Sequence, residues 1–116
     1  MHRFKTVFLV AIMAACLVAC SGKPKDMDDN TYNLGVKALE IMDAYNNADM
    51  EEDEAYEQLQ AIYDRVHGRE YSDDEFSQEL QNGLVETAIL SYQITMSANG
   101  DIVEKADNLR EILNKK

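Results

Sequence analysis

The sequence predicts an all-α protein, a small antiparallel bundle of about four helices, and three observations predict it. Apolar residues recur at three- and four-residue spacing through most of the chain after residue 30, which is the period of a helix face. Polar starting signals and Gly or Asn-Gly stops separate these stretches. The 116 residues, 46 % of them hydrophobic, suit one small domain. Because each helix has an apolar face to bury, the helices must pack on one another.

The first two helices are predicted to follow each other across a short connection. Helix one spans about 31 to 47, and its apolar face is formed by Leu34, Ala38, Ile41, Tyr45 and Ala48, widened by Leu39 and Met42. Helix two spans about 50 to 67, and its apolar face is formed by Ala55, Leu59, Ile62 and Val66. Asp49 and Glu52 have the spacing of a capping box, which predicts the start of helix two, and Gly68 ends it.

The third helix is predicted to be the longest, spanning 73 to 98 after a capping box at Ser72 and Glu75. Its apolar face is formed by Phe76, Leu80, Leu84, Ala88, Tyr92 and Thr95, widened by Val85, Ile89 and Met96. Leu84 is therefore expected in the core, and Gly83 at a close helix crossing. Asn99 and Gly100 suit the left-handed turn that closes the helix. Helix four spans 101 to about 114, with an apolar face formed by Ile102, Ala106, Leu109 and Leu113.

The first twenty residues differ from the rest of the chain. Arg3 and Lys5 precede an uncharged apolar stretch, TVFLVAIMAACL, which has the layout of a secretory signal and is shorter than the roughly 20 residues of a membrane span. The last residue of this stretch, Leu17, is also the first residue of the segment LVAC, residues 17–20. This segment resembles the lipobox of bacterial lipoproteins. This resemblance implies that a diacylglyceryl group is joined to the Cys20 thiol and that the peptide is cut just before Cys20.

The same resemblance divides the chain into a signal peptide, 1–19, a lipidated cysteine with a flexible tether, 20–30, and a helical domain, 31–116. Two acyl chains at Cys20 suffice for stable membrane anchoring, whereas one is marginal. Cleavage leaves nine basic against 22 acidic side chains, a net charge of -13. Nucleic-acid binding requires basic patches, so no nucleic-acid partner is expected.

The chain after Cys20 carries little of the material that catalysis uses. His67 is its only histidine, and we interpret it as a helix-end residue favoured by the helix dipole. Cys20 is acylated by the resemblance, which leaves no thiol for nucleophilic work. The sequence has no phosphate loop, nucleophile elbow or zinc-ligand spacing. We therefore predict no catalytic residue, metal site or cofactor, and we do not expect an enzyme.

The most conspicuous charged feature is the run DMEEDE, residues 49–54. It does not fit an EF-hand calcium loop, which needs Gly at the sixth place and Glu at the twelfth, because these places fall on Glu54 and Gln60. Carboxylates in a first helical turn are favoured by the dipole alone, so the run fits a solvated face. It also fits a face for interaction, formed by Asp49, Glu51, Glu52, Asp53 and Glu54.

Residues 37–65 loosely resemble a helix-turn-helix stretch of uncharacterised small lipoproteins of Gram-positive bacteria, which implies no activity. We expect a lipid-anchored, non-enzymatic helical module on the extracytoplasmic face of the cell membrane, or of the outer membrane in a cell with two membranes. Its expected partners are the membrane, through the anchor, and an envelope protein with a basic face. The alternative is an accessory subunit or hydrolase of the cell envelope whose site the sequence does not reveal.

Overall fold

The computed structural model describes residues 22–115, and within this range it contains four α-helices and no strand. The helices are α1, Asp29–Asn46; α2, Glu52–His67; α3, Phe76–Ser97; and α4, Ile102–Ile112. A 3₁₀ turn, Asp73–Glu75, leads into α3. Consecutive helices pack against each other across short connections, which makes neighbours antiparallel. The predicted all-α bundle is confirmed.

The start of α1 lies earlier in the chain than the predicted residue 31. Asp28 caps the helix, because its Oδ1 accepts a hydrogen bond of 2.8 Å from the backbone N–H of Thr31. Met27, just before the cap, is buried against the core. The folded part of the chain therefore includes residues that the sequence assigned to the tether.

The connection between α1 and α2 corrects one predicted cap. Asp49 does not cap α2: the cap residue is Glu51, which makes no side-chain capping bond. Asp49 belongs instead to the end of α1, where Ala48 has a φ of 61° and the N–H of Asp49 donates to the Ala44 carbonyl at 2.8 Å. The α1 helix therefore ends in a left-handed turn at Ala48. Asp49, which the capping-box spacing assigned to the start of α2, is part of this turn.

The caps at the two ends of α3 agree with the sequence. Glu75 Oε1 accepts hydrogen bonds from the backbone N–H of Ser72 at 3.0 Å and from its hydroxyl at 2.8 Å, so the predicted capping box is confirmed. At the other end Asn99 has a φ of 56°, and the N–H of Gly100 donates to the Thr95 carbonyl at 2.9 Å. This is the left-handed closure that Asn-Gly favours.

The core lies between α1 and α3, each of which contacts the other three helices, while α2 and α4 pack on opposite sides. Every residue of the predicted face of α2 is buried, as are Ala106 and Leu109 of α4 and Leu113, which caps the end of α4. In α1 the buried face is rotated from the predicted one: Ala48 is exposed, and the helix instead buries Tyr32, Val36 and Gly35. The largest fully buried apolar side chains of the described range are Tyr32, Met42, Leu59, Val66, Val85, Ile89, Tyr92, Leu109 and Leu113.

The prediction for α3 is wrong in its first half. The core takes Asn82, Val85, Ile89, Tyr92 and Met96, whereas Leu84, which the spacing placed in the core, is exposed. Phe76 and Leu80 are exposed with it. The physical reason is that α3 has two apolar faces on opposite sides of the helix, and only one of them can face α1, α2 and α4.

The close helix contact predicted at Gly83 occurs elsewhere. A Cβ on Gly83 would meet no atom within 4 Å. A Cβ on Gly35 of α1 would lie 2.7 Å from Cδ2 of Leu113, which is itself fully buried. The missing side chain at Gly35 therefore lets the end of α4 approach α1. No contact in the described part of the chain requires a glycine at Gly83.

The buried side chain of Asn82 in α3 forms hydrogen bonds with the start of α1 and the end of α2. The Thr31 hydroxyl donates to Oδ1 of Asn82 at 2.8 Å, and Nδ2 of Asn82 donates to the Val66 carbonyl at 2.9 Å. Thr31 is fully buried, and Asn82 nearly so. Because both polar groups of the Asn82 amide are paired, the core accommodates this side chain without an unsatisfied atom.

Candidate functional site

The five predicted acidic residues lie together at one end of the bundle, which we call the acidic end: Asp49, Glu51, Glu52, Asp53 and Glu54. Asp49 is in the turn after α1, Glu51 is the cap residue of α2, and the other three form the first turn of α2. Four of the side chains are exposed and Glu54 is half-buried. Carboxylates at this position are stabilised by the unpaired N–H groups and the dipole of α2.

Hydrogen bonds hold two of these carboxylates. The Tyr45 hydroxyl donates to Oε1 of Glu52 at 3.3 Å, which links α1 to the start of α2. Nε2 of Gln58 donates to Oε2 of Glu54 at 3.2 Å, one turn further along α2. Within residues 22–115, Asp49, Glu51 and Asp53 form no ion pair with a basic side chain. The acidic end therefore presents negative charge that this part of the chain does not neutralise.

The carboxylates of the acidic end are not gathered around one point. Among residues 22–115, no three His, Cys, Asp or Glu side chains are placed to share a metal ion. The carboxylates occupy successive positions of one helical turn, so they point in different directions around the α2 axis. Their arrangement attracts cationic groups over a surface rather than enclosing one ion.

A groove between α1 and α4 contains a carboxyl group with an unusual pKa. The groove has a volume of about 590 Å³ and includes Glu40, Asp43 and Arg110 in its lining. Burial raises the pKa of Glu40 from 4.5 to about 7, and the charges of Lys115 and Lys37 oppose this rise only in part. Arg110 binds Asp43 with two hydrogen bonds, of 2.8 and 3.2 Å. That pair joins α4 to α1.

A second groove, of about 450 Å³, lies between the start of α1 and the end of α2. It is lined by Lys37, Arg65 and Arg69 together with two asparagines. Arg69 is already held, because its Nη2 lies 3.2 Å from Oδ1 of Asp28 and its Nε donates to the Tyr71 hydroxyl at 2.9 Å. Burial alone would raise the pKa of Asp28, but hydrogen bonds from Thr31 and Tyr71 and the Arg69 charge outweigh it and lower that pKa. Arg69 thus stabilises the fold at this point.

An exposed apolar surface follows α3 on the side away from the core, and we call it the outer face of α3. Its large residues and their exposed fractions are Phe76, 62 %, Leu80, 53 %, Leu84, 48 %, Leu90, 41 %, and Ile94, 60 %. Gly83, Thr87 and Ser91 lie on the same side, since all eight positions follow three- and four-residue spacing. Phe76, Leu80 and Leu84 belong to the face predicted to lie in the core, whereas Leu90 and Ile94 do not.

The histidine singled out in the sequence does lie at the end of α2. Its Nδ1 is 3.3 Å from Oε2 of Glu86, and its ring stacks on Tyr63 with centroids 5.6 Å apart. The first contact connects the exposed end of α2 to α3, and the second lies within α2. The hydroxyl of Tyr92, by contrast, is buried and donates to the carbonyl of Met42 and to Oδ1 of Asn46.

Comparisons with protein-family models, with curated proteins and with solved structures found no match to this chain. In the range 22–115, no helix has both the length and the apolarity needed to cross a membrane. Cys20, the predicted lipid attachment site, lies outside the described residues, as does the predicted signal peptide.

Proposed function

We propose that this protein is a lipid-anchored, non-enzymatic helical module of the cell envelope that binds a protein partner with a basic contacting face. The lipobox resemblance at residues 17–20 supports the anchor, with Cys20 as the attachment site. The anchor places the domain on the extracytoplasmic side of the cell membrane, or on the outer membrane of a cell that has two.

The observation that carries the proposed partner is the position of the acidic end. The chain enters the domain at Met27 and Asp28, and α1 then runs for 18 residues to the turn where the acidic end begins. At 1.5 Å per residue this separation is about 27 Å. The acidic end therefore lies at the far end of α1 from the tether. A partner reaching the domain from the side away from the membrane meets these carboxylates first.

Charge gives this interaction a measurable signature. A basic partner is attracted to an uncompensated acidic surface, which raises the association rate, and salt screens the attraction. We expect association with the partner to weaken as the salt concentration rises.

The anchor is tested by labelling cells with palmitate. The parent chain should incorporate the label, and Cys20→Ala should not. Cys16→Ala is the matched control, because Cys16 lies in the same apolar stretch but lacks the four-residue box before it. Label retained by Cys20→Ala, or absent from the parent, contradicts the anchor.

The acidic end is tested by affinity capture from the native envelope at low and high salt. One variant neutralises it with Glu51→Gln, Glu52→Gln, Asp53→Asn and Glu54→Gln. The matched control removes four exposed charges at the other end of the bundle with Glu70→Gln, Asp73→Asn, Asp74→Asn and Glu79→Gln, and keeps the Glu75 cap. We expect only the first variant to lose the salt-sensitive partner. Equal capture by the parent and both variants at both salt concentrations contradicts the role of the acidic end.

A further inference from the structure

The longest helix of the described range is apolar on two opposite sides. One side packs in the core through Val85, Ile89, Tyr92 and Met96, and the other is the outer face of α3. A helix that is hydrophobic all round is normally buried all round, whereas a helix at a protein surface carries polar and charged residues on its outer side. The only charged residues in α3 are Glu79 and Glu86, and both lie beside the outer face rather than on it.

The outer face of α3 is complementary to itself. If two copies of α3 cross antiparallel about residue 85, Phe76 of one lies opposite Ile94 of the other, and Leu80 lies opposite Leu90. Gly83 lies opposite Thr87 in the middle, and Leu84 flanks this pair, so large residues meet at both ends and along one edge of the centre. A two-fold interface requires the same patch on both subunits to fit itself in this way.

Gly83 supports a contact from outside the domain. Glycine in the interior of a helix is destabilising relative to alanine. Apart from its two chain neighbours and the backbone of its own helix, no atom lies within 4 Å of the position that a Cβ of Gly83 would occupy, so packing inside the domain does not account for the glycine. In an antiparallel crossing about residue 85, Gly83 and Thr87 leave room at the centre for two helices to approach closely.

Electrostatics also favours this face for contact between two copies. The chain after Cys20 has a net charge of -13, so most orientations of two copies bring carboxylates together. The eight residues of the outer face include no charged side chain. Two copies therefore meet here through uncharged residues, and Glu86 lies at the edge of the contact, with its Oε2 3.3 Å from His67 Nδ1 of its own chain.

We infer that the outer face of α3 binds the same face of a second copy of this chain, in an antiparallel arrangement centred near residue 85. The inference goes beyond the proposed partner of the acidic end and does not depend on it. The face is about 27 Å long, given a rise of 1.5 Å per residue. One helix pair of this length buries less than the about 800 Å² per partner of a standard interface, so the dimer is weak. Attachment of both copies to one membrane favours it by raising their effective concentration.

The arrangement is tested by cysteine cross-linking of the full chain in its own membranes with a short bifunctional maleimide. Thr87→Cys puts two thiols about 6 Å apart along the helix axes in the dimer, and Ile94→Cys puts them about 27 Å apart. We expect a cross-linked dimer from Thr87→Cys alone and none from Ile94→Cys alone. Membranes containing both Phe76→Cys and Ile94→Cys copies, with different tags, should give a mixed dimer.

Controls separate the dimer from random collision and from the native cysteines. The parent chain reports on Cys16 and Cys20, and Asn108→Cys reports on an exposed position of α4 outside the face. Adding Leu80→Glu and Leu90→Glu to Thr87→Cys should lower the cross-linked fraction at least about tenfold, because two apolar contacts per copy are replaced by charge. Val103→Glu is the matched change at an exposed apolar residue of α4 and should leave cross-linking unchanged.

Salt distinguishes this contact from binding at the acidic end. Screening reduces repulsion between two acidic copies, so dimer cross-linking should increase with salt, whereas capture of a basic partner should decrease.

Equal cross-linking of Thr87→Cys and Ile94→Cys overturns the antiparallel arrangement. Absence of cross-linking with Thr87→Cys, or cross-linking that Leu80→Glu and Leu90→Glu leave intact, overturns the second copy as the occupant of this face. Binding of the face to lipid or to a different protein then takes its place.

Discussion

The two helices α2 and α3 were predicted from the same kind of pattern, yet α2 turns its whole predicted face toward the core and α3 turns only part of it. Ala55, Leu59 and Val66 of α2 are all completely buried, whereas Phe76, Leu80 and Leu84 of α3 are all about half exposed or more. The difference lies on the other side of each helix. Six of the 16 residues of α2 carry a charge, but only two of the 22 residues of α3 do.

Apolar residues that recur every three and four positions identify the apolar faces of a helix. Charged residues on the opposite side then identify which of these faces points inward. In α2 the charged residues leave one choice. In α3 both sides are apolar, and the choice depends on tertiary contacts: Asn82 pairs with Thr31 and the Val66 carbonyl, and this pairing places the side with Val85 and Ile89 in the core.

The largest expected effect compares one leucine from each helix. Leu59→Ala removes a fully buried side chain and should lower the free energy of unfolding by about 2 to 5 kcal/mol. Leu84→Ala, at a position 48 % exposed, should change it by less than about 0.5 kcal/mol. Urea denaturation at low protein concentration, where the monomer dominates, measures both. Similar losses for the two variants would mean that α3 turns the outer face toward the core.

Much of the fold follows from local sequence, and the exceptions have specific causes. The face of α2, the Ser72–Glu75 cap and the Asn99 turn depend on residues close in sequence, and all three were predicted. The inward side of α3 and the close approach at Gly35 depend on residues distant in sequence. Gly35 meets Leu113, 78 positions later, and no local pattern indicates that contact. The acidic end can be recognised in the sequence as a run of acidic residues. The outer face of α3 can be recognised only when the positions of the other helices are known.

The second prediction concerns the polar contact that places α3. Asn82→Ala should lower the free energy of unfolding by about 1 to 3 kcal/mol, because Thr31 and the Val66 carbonyl each lose a buried hydrogen-bond partner. Thr31→Val removes the other half of the contact. A double-mutant cycle by urea denaturation should give a coupling of at least about 0.5 kcal/mol. Strict additivity of the two losses would show that the Thr31–Asn82 bond does not determine which side of α3 faces inward.

The third prediction is a pH dependence at Glu40. Since the pKa of Glu40 is about 7 in the folded protein against 4.5 for an ordinary glutamate, the folded protein binds more protons than the unfolded chain between these pH values. The contribution of Glu40 to stability therefore falls as the pH rises through this window. Glu40→Gln should match the parent near pH 4. At pH 8 it should be more stable by up to about 1 kcal/mol, a value kept small because the carboxyl is only half-buried.

Thermal unfolding across pH 4 to 8 measures this effect, and Glu57→Gln on the exposed side of α2 is the matched control. The control removes the same type of charge outside the groove between α1 and α4. A stability gain at pH 8 of the same size in both variants would assign it to the general reduction of negative charge and not to Glu40.

The smallest effect is expected from Gly83→Ala, and it bears directly on the two sides of α3. The added methyl group meets no atom within 4 Å, and Gly83 lies in the interior of a regular helix, so the monomer should gain up to about 1 kcal/mol of stability. The same methyl group fills the space at Gly83 near the centre of the outer face, so cross-linking of Thr87→Cys should fall.

Gly35→Ala is the opposite case, because its methyl group lies 2.7 Å from Leu113 Cδ2 and requires that side chain to move. We expect a rise in melting temperature with Gly83→Ala and none with Gly35→Ala. A rise in stability together with undiminished cross-linking would show that the two copies do not approach at Gly83, whereas opposite changes in the two measurements would show that this glycine serves a contact outside the domain.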